Sequence, residues 1–133
     1  MKRILVIDDE PAVSHMISAS LRAAGVQHTI DYCSDGAQGR RKATQSEYDL
    51  ITLDRSMPFM GGAEALKEIK GNAKSAAIPV VMITAQNDPE FHKHAMELGA
   101  AALVTKPFRP QELADILRQV LAGGDIEPPD SKT

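Results

Sequence analysis

A chain of 133 residues has the length of one domain, and 43% apolar with 25% charged residues describes an ordinary globular protein that can bury a core without staples. The net charge of −3 argues against direct work on the nucleic-acid backbone, which calls for a basic stripe. No apolar run is long enough to span a bilayer, and Met1-Lys2-Arg3-Ile4 leads straight into a short strand-like run without a signal-peptide core, so a cytoplasmic location without membrane insertion is expected.

Five apolar runs alternate with five helical periodicities. The first strand spans residues 3–8. Pro11 then opens a helix at its first turn, where the missing N–H costs nothing, and Val13, Met16, Ile17, Leu21 and Ala24 form its inward stripe until Gly25 stops it. The second strand covers 28–33. Cys33 has no partner for an internal disulfide and reads as a buried strand thiol. A helix over 35–46 carries a weak stripe, diluted by Gly36, Gly39 and the basic run Arg40-Arg41-Lys42, itself read as a solvated face. The third strand, 49–53, precedes Gly61-Gly62 and a helix with Ala65, Leu66 and Ile69 inward and Gly71 at its end. The fourth strand, 78–84, leads to a helix over 89–98 that buries Phe91, Ala95 and Leu98 and stops at Gly99. The fifth strand, 101–105, leads to a helix from Pro110 with Leu113, Ile116, Leu117, Val120 and Leu121 on one stripe. Residues 1–122 are expected to form the domain, and the aperiodic 123–133 a loose tail.

Strict alternation implies parallel pairing with right-handed crossovers, helices on both faces of a single sheet. The strands at 3–8, 49–53 and 78–84 are nearly continuous apolar runs, as central parallel strands are. The expected fold is α/β, a doubly wound five-stranded parallel sheet of order 2-1-3-4-5, flavodoxin-like (βα)5. Its ligand crevice lies beyond the carboxyl ends of the strands.

Polar residues gather at that edge. Asp8 and Asp9 follow the first strand, Asp54 the third, Thr84 the fourth and Lys106 the fifth. Neighbouring strands lie about 4.8 Å apart, so three carboxylates converge and repel unless a cation joins them. Mg²⁺ suits such oxygen ligands and leaves room for a phosphate. Lys106 supplies a point charge for a phosphoryl oxygen, and an aspartate beside the metal can act as a nucleophile that becomes an aspartyl-phosphate.

The ordered set Asp8-Asp9, Asp54-Arg55-Ser56-Met57-Pro58 with Gly61-Gly62, Thr84-Ala85 and Lys106-Pro107-Phe108 closely resembles the receiver domain of two-component response regulators, typified by the chemotaxis response regulator. The resemblance runs from residue 2 to about 121. It implies Asp54 as phosphoacceptor, Asp9 as a direct Mg²⁺ ligand, Asp8 acting largely through water, and the Ser56 carbonyl completing the protein ligands. It further implies that the Thr84 hydroxyl turns toward the phosphoryl group and that Lys106 pairs with a phosphoryl oxygen. Ser56 and Gln86 sit where the family tunes dephosphorylation, and the bond before Pro107 is often cis in the family. At the switch position, usually Tyr or Phe, this chain has Leu103. That departure shifts the expected readout toward residues 84–88 and the helix that follows.

Each element has a plainer reading taken alone. Asp8-Asp9-Glu10 could serve only as the acidic first turn of a helix, Thr84 as a β-branched strand residue and Lys106 as a surface lysine, but such readings leave the ensemble unexplained. Glu10 is expected to be solvated, and His92 and His94, two apart on a helix, share no face for a metal. The resulting expectation is a stand-alone signalling switch, a monomer or weak dimer. It would take a phosphoryl group from a sensor histidine kinase or histidine phosphotransfer protein, would signal to a downstream protein target, and would catalyse nothing beyond its own phosphorylation and dephosphorylation. Because the chain ends soon after its last helix, no DNA-binding effector is expected on it. The alternatives are a Mg²⁺-dependent phosphohydrolase with an aspartate nucleophile, disfavoured because Ser56 stands where a general-acid aspartate is needed, and a flavin module, disfavoured because no Ser/Thr/Gly-rich phosphate loop follows the first strand.

Overall fold

The computed structural model describes residues 1–57, 60–85 and 88–123. The elements are β1 (Lys2–Ile7), α1 (Pro11–Ala23), β2 (His28–Cys33), α2 (Gly36–Gln45), β3 (Leu50–Asp54), α3 (Gly62–Lys70), β4 (Val80–Thr84), α4 (Pro89–Glu97), β5 (Ala102–Thr105) and α5 (Pro110–Leu121). The strands form one sheet ordered β2-β1-β3-β4-β5, every neighbouring pair parallel. The expected architecture is therefore the observed one. Of the tail expected at 123–133, residues 124–133 lie outside the described residues, as do Pro58 and Gln86.

Two apolar layers flank the sheet because successive strand residues point to opposite faces. Leu5 and Ile7 join Ala43 of α2, Leu66 and Ile69 of α3, and Phe91 and Ala95 of α4. Ile4 and Val6 join Val13, Ile17 and Leu21 of α1 and Leu113, Leu117 and Val120 of α5. Full burial of each of the larger side chains among them stabilises the fold by roughly 1.5–3 kcal/mol. This double cover explains why β1, β3 and β4 are apolar on both faces.

The structure departs from expectation where hydropathy and geometry part ways. Met16 is 44% exposed at the edge of the α1 stripe, and Ser20 is buried in its place, its hydroxyl donating to the Met16 carbonyl one turn back. Ile116 and Leu121 flank the α5 stripe, whereas Ala114 is buried within it. Ile78 is buried but precedes β4. Its N–H donates to the Ser75 carbonyl in a turn, and Lys70 Nζ clasps that turn by donating to the carbonyls of Ala76 and Ile78. Gly36 and Gly39 do not merely weaken α2. A Cβ on Gly39 would lie 2.3 Å from Ile7 Cδ1, and one on Gly36 would lie 2.6 Å from the Met60 carbonyl oxygen. Both glycines let α2 approach its neighbours closely.

Candidate functional site

The sheet order brings the ends of β1 and β3 together, with β4 and β5 alongside. Asp8 follows β1. Its N–H extends the ladder by donating to the Cys33 carbonyl at 3.0 Å, and the Tyr32 hydroxyl donates to the Asp8 carbonyl. The Asp8 side chain is 1% exposed. Its Oδ1 accepts from the Glu10 N–H at 2.9 Å, which turns the chain into α1 at Pro11. Asp8 Oδ2 is buried with no hydrogen-bond partner. Burial pushes this carboxyl above the ordinary range, while the Glu10 N–H and Lys106 pull it back.

Asp54 ends β3 opposite Ile83. The next peptide is pinned on both sides, since the Arg55 N–H donates to the Ile83 carbonyl at 2.9 Å and the Arg55 carbonyl accepts from the Gly62 N–H at 2.8 Å. Gly62 has to be glycine, because a Cβ there would sit 2.3 Å from the Asp54 carbonyl oxygen. The Asp54 carboxyl is pushed up to about 6, first by burial and next by the Asp8 charge, against the pull of Lys106 and of the Ser56 N–H. Such perturbed carboxyls gather at functional sites.

Lys106 reaches the cluster from the end of β5. Its N–H donates to the Thr84 carbonyl at 2.7 Å, and the peptide to Pro107 is cis. Its Nζ stands 3.6 Å from Asp8 Oδ2, 3.8 Å from Glu10 Oε1 and 4.0 Å from Asp54 Oδ1. These spacings exceed hydrogen-bond distance. The ammonium therefore faces the carboxylates as a shared counter-charge. Thr84, at the end of β4, is 2% exposed and pairs with Thr105.

Asp8, Asp54, Thr84 and Lys106 thus meet at one sheet edge. The carboxylate oxygens of Asp8, Asp9 and Glu10 lie within 4.8 Å of one another, and Glu10 is solvated as expected, its side chain 68% exposed. Ser56 is exposed beside Asp54. Leu103 lies away from the edge, in register with Met82 and packed against the layer that holds Phe91. His94 is exposed on α4, and no metal-ligating group among the described residues includes His92 or His94. Cys33 is buried, and burial raises its thiol. Beside the cluster runs an open groove of about 420 Å³, lined by the apolar Val13, Met16, Ala85, Pro107 and Phe108 together with the charged Glu10 and Lys106.

Fold and site together define a doubly wound α/β domain with a lysine-bridged carboxylate cluster at its switch point. The chain belongs to the response regulator receiver domain family, whose model matches residues 4–118. It is similar to the DNA-binding dual master transcriptional regulator RpaA of Synechocystis, 34% identical over 132 residues that make up 99% of this chain and 54% of the relative. Among solved structures it is similar to the chemotaxis protein CheY4 of Vibrio cholerae, with 30% identity, a TM-score of 0.79 and coverage of 90% of this chain and 98% of that one. The receiver domain of a sensor histidine kinase from Pseudomonas aeruginosa PAO1, with a magnesium ion coordinated in its active-site cleft, matches at 29% identity and a TM-score of 0.78 over 92% of this chain and 98% of that one. The chain spans about half the length of the curated relatives it matches. No helix among the described residues is long and apolar enough to cross a membrane.

Proposed function

We propose that the chain is a phosphorylation-controlled signalling switch with Asp54 as its phosphoacceptor. The observation that carries this reading is a buried carboxylate at the end of β3, 4.0 Å from an ammonium that also faces Asp8. A carboxylate so placed is shielded from bulk water yet open to the sheet edge. An Asp54 oxygen attacks the phosphorus of a phosphohistidine on a sensor kinase or phosphotransfer protein. The P–N bond breaks, its electron pair returns to the imidazole nitrogen, and an aspartyl-phosphate remains. Lys106 Nζ, already within reach, pairs with a phosphoryl oxygen, and the Thr84 hydroxyl adds a donor. The phosphoryl group is lost in a separate hydrolysis: a water oxygen attacks the phosphorus, the P–O bond to Asp54 breaks, the carboxylate leaves with its electron pair, and inorganic phosphate departs with the water's oxygen while a proton passes to solvent. The protein turns over no other substrate.

The donor set fits Mg²⁺. Asp8 presents a buried oxygen with no hydrogen-bond partner, and the neighbouring carboxylates supply hard oxygen ligands. Asp9, Asp54 and the Ser56 carbonyl would hold the ion directly, and Asp8 largely through water. When bound, Mg²⁺ offsets the phosphoryl charge. The magnesium in the Pseudomonas neighbour supports the same reading here. The groove between Val13, Met16, Pro107 and Phe108, which Lys106 also lines, offers an apolar seat for the phosphodonor protein. A protein target in the cytoplasm would read the switch, and the net charge of −3 favours such a partner over nucleic acid for this segment.

The test uses acetyl phosphate. With Mg²⁺ the chain should gain one acid-stable, base-labile phosphoryl group, and Asp54→Asn should remove it. Labelling that survives Asp54→Asn, or that runs equally well in EDTA, refutes the reading.

A further inference from the structure

The residue after Asp54 reaches away from the acidic cluster. Arg55 Nη2 lies 3.4 Å from Asp88 Oδ2, and the guanidinium carbon lies 3.8 Å from the centre of the Phe91 ring. Asp88 is the N-cap of α4, and its other oxygen, Oδ1, accepts from the N–H groups of Glu90 and Phe91. One carboxylate therefore serves both the start of the helix and the arginine. Phe91, in the first turn of that helix, is buried in the apolar layer against which Leu103 packs. A single side chain thus ties the loop after β3 to the N-terminus of α4 by an ion pair and a cation–π contact. The Arg55 backbone is held from both sides, by the Ile83 carbonyl and the Gly62 N–H. Leu103, with neither hydroxyl nor ring, offers no polar handle for the same task.

We propose that Arg55 is a positioning residue that couples the state of Asp54 to the N-terminus of α4 through Asp88 and Phe91. This rests on Asp54 being the phosphoacceptor. A phosphoryl group there brings a charge of about −1.5 to −2 next to the residue that bears the guanidinium. The arginine is drawn toward that charge, its hold on Asp88 loosens, and the first turn of α4 becomes the surface that changes.

Hydrogen exchange on the full chain, with and without Mg²⁺ and beryllofluoride as the phosphoryl mimic, tests the coupling. Fluorine NMR reports independently whether the mimic is bound. In wild type, bound mimic should speed exchange at Glu90 to Lys93 roughly fivefold, the scale of one partly exposed ion pair with one ring contact. Arg55→Ala should exchange at that faster rate without the mimic, bind the mimic, and show no further change at α4. Asp88→Asn, which keeps a capping oxygen but loses the charge, should behave like Arg55→Ala, and the double variant should add nothing more. Arg55→Lys, which restores the charge without the planar stack, should recover part of the response. A wild-type α4 unmoved by bound mimic, or an Arg55→Ala response equal to that of wild type, overturns the coupling. Failure of wild type to bind the mimic overturns instead the assignment of Asp54 on which it stands.

Discussion

Replacing Asp54 with asparagine should stabilise the metal-free protein, and the gain should grow with pH. The carboxyl stands at about 6 against an ordinary 3.8, because it is buried and faces Asp8. Holding it ionised in the folded state costs on the order of 3 kcal/mol once the pH is above both values. The pull of Lys106 and of the Ser56 N–H is already contained in that shift, so a neutral amide that packs like the protonated acid gains about 2–3 kcal/mol near neutral pH. The sign follows from proton counting. Between the two values the folded protein keeps a proton that the unfolded chain has lost, so wild-type stability falls as pH rises through the window and levels off above about 6. The substituted amide titrates nothing there. The difference between variant and wild type should therefore widen by about 1.4 kcal/mol from about pH 5 to about pH 7.5. Urea unfolding in EDTA, followed by far-ultraviolet circular dichroism across that range, measures it. A variant less stable than wild type near neutral pH, or a gain independent of pH, refutes the account of a buried, charge-crowded carboxylate.

Mg²⁺ at ten times its dissociation constant should stabilise wild type by about 1.4 kcal/mol, and Asp9→Asn and Asp54→Asn should each lose most of that gain in thermal unfolding with and without the ion. Lys106→Ala should destabilise the protein in EDTA by about 1–2 kcal/mol, because it removes the ammonium facing the buried Asp8 oxygen; an unchanged melting temperature would show that the lysine does not balance the cluster. Gly62→Ala should cost about 2 kcal/mol or more, since its Cβ would strike the Asp54 carbonyl, whereas Gly61→Ala, whose nearest neighbour is 3.7 Å away, should lie within about 0.5 kcal/mol of wild type. Equal effects in denaturant unfolding would rule out close approach as the reason for glycine at 62.

Most of the fold was legible because a doubly covered parallel sheet writes itself as apolar runs. The second strand was expected at 28–33 and is β2, His28–Cys33, and α5 begins at Pro110 as its proline indicates. Hydropathy reports burial, not hydrogen bonding, so Ile78 read as strand although its N–H is spent in a turn closed by Lys70. Period alone also cannot place a polar side chain indoors, and Ser20 is buried because the Met16 carbonyl one turn back satisfies its hydroxyl. The glycines of α2 read as weaknesses because nothing local announces that Ile7 and Met60 press against them.

The convergence of Asp8, Asp54, Thr84 and Lys106 was legible for a different reason. Each stands at or just past the carboxyl end of a strand, and in a parallel sheet that position decides the edge, whatever the distance along the chain. Residues that reach the site sideways carry no such mark. Tyr32 donates its hydroxyl to the Asp8 carbonyl from β2, and Arg55 crosses to α4 to meet Asp88 and Phe91. Glu10 lies in between: its adjacency to Asp9 was visible, but its approach to Lys106 depends on the turn that the Asp8 side chain imposes on its backbone. The chemistry of the edge follows from topology, whereas its connections to the rest of the molecule depend on side-chain reach. Those connections are where two receiver domains with the same carboxylates and lysine can differ in what they signal.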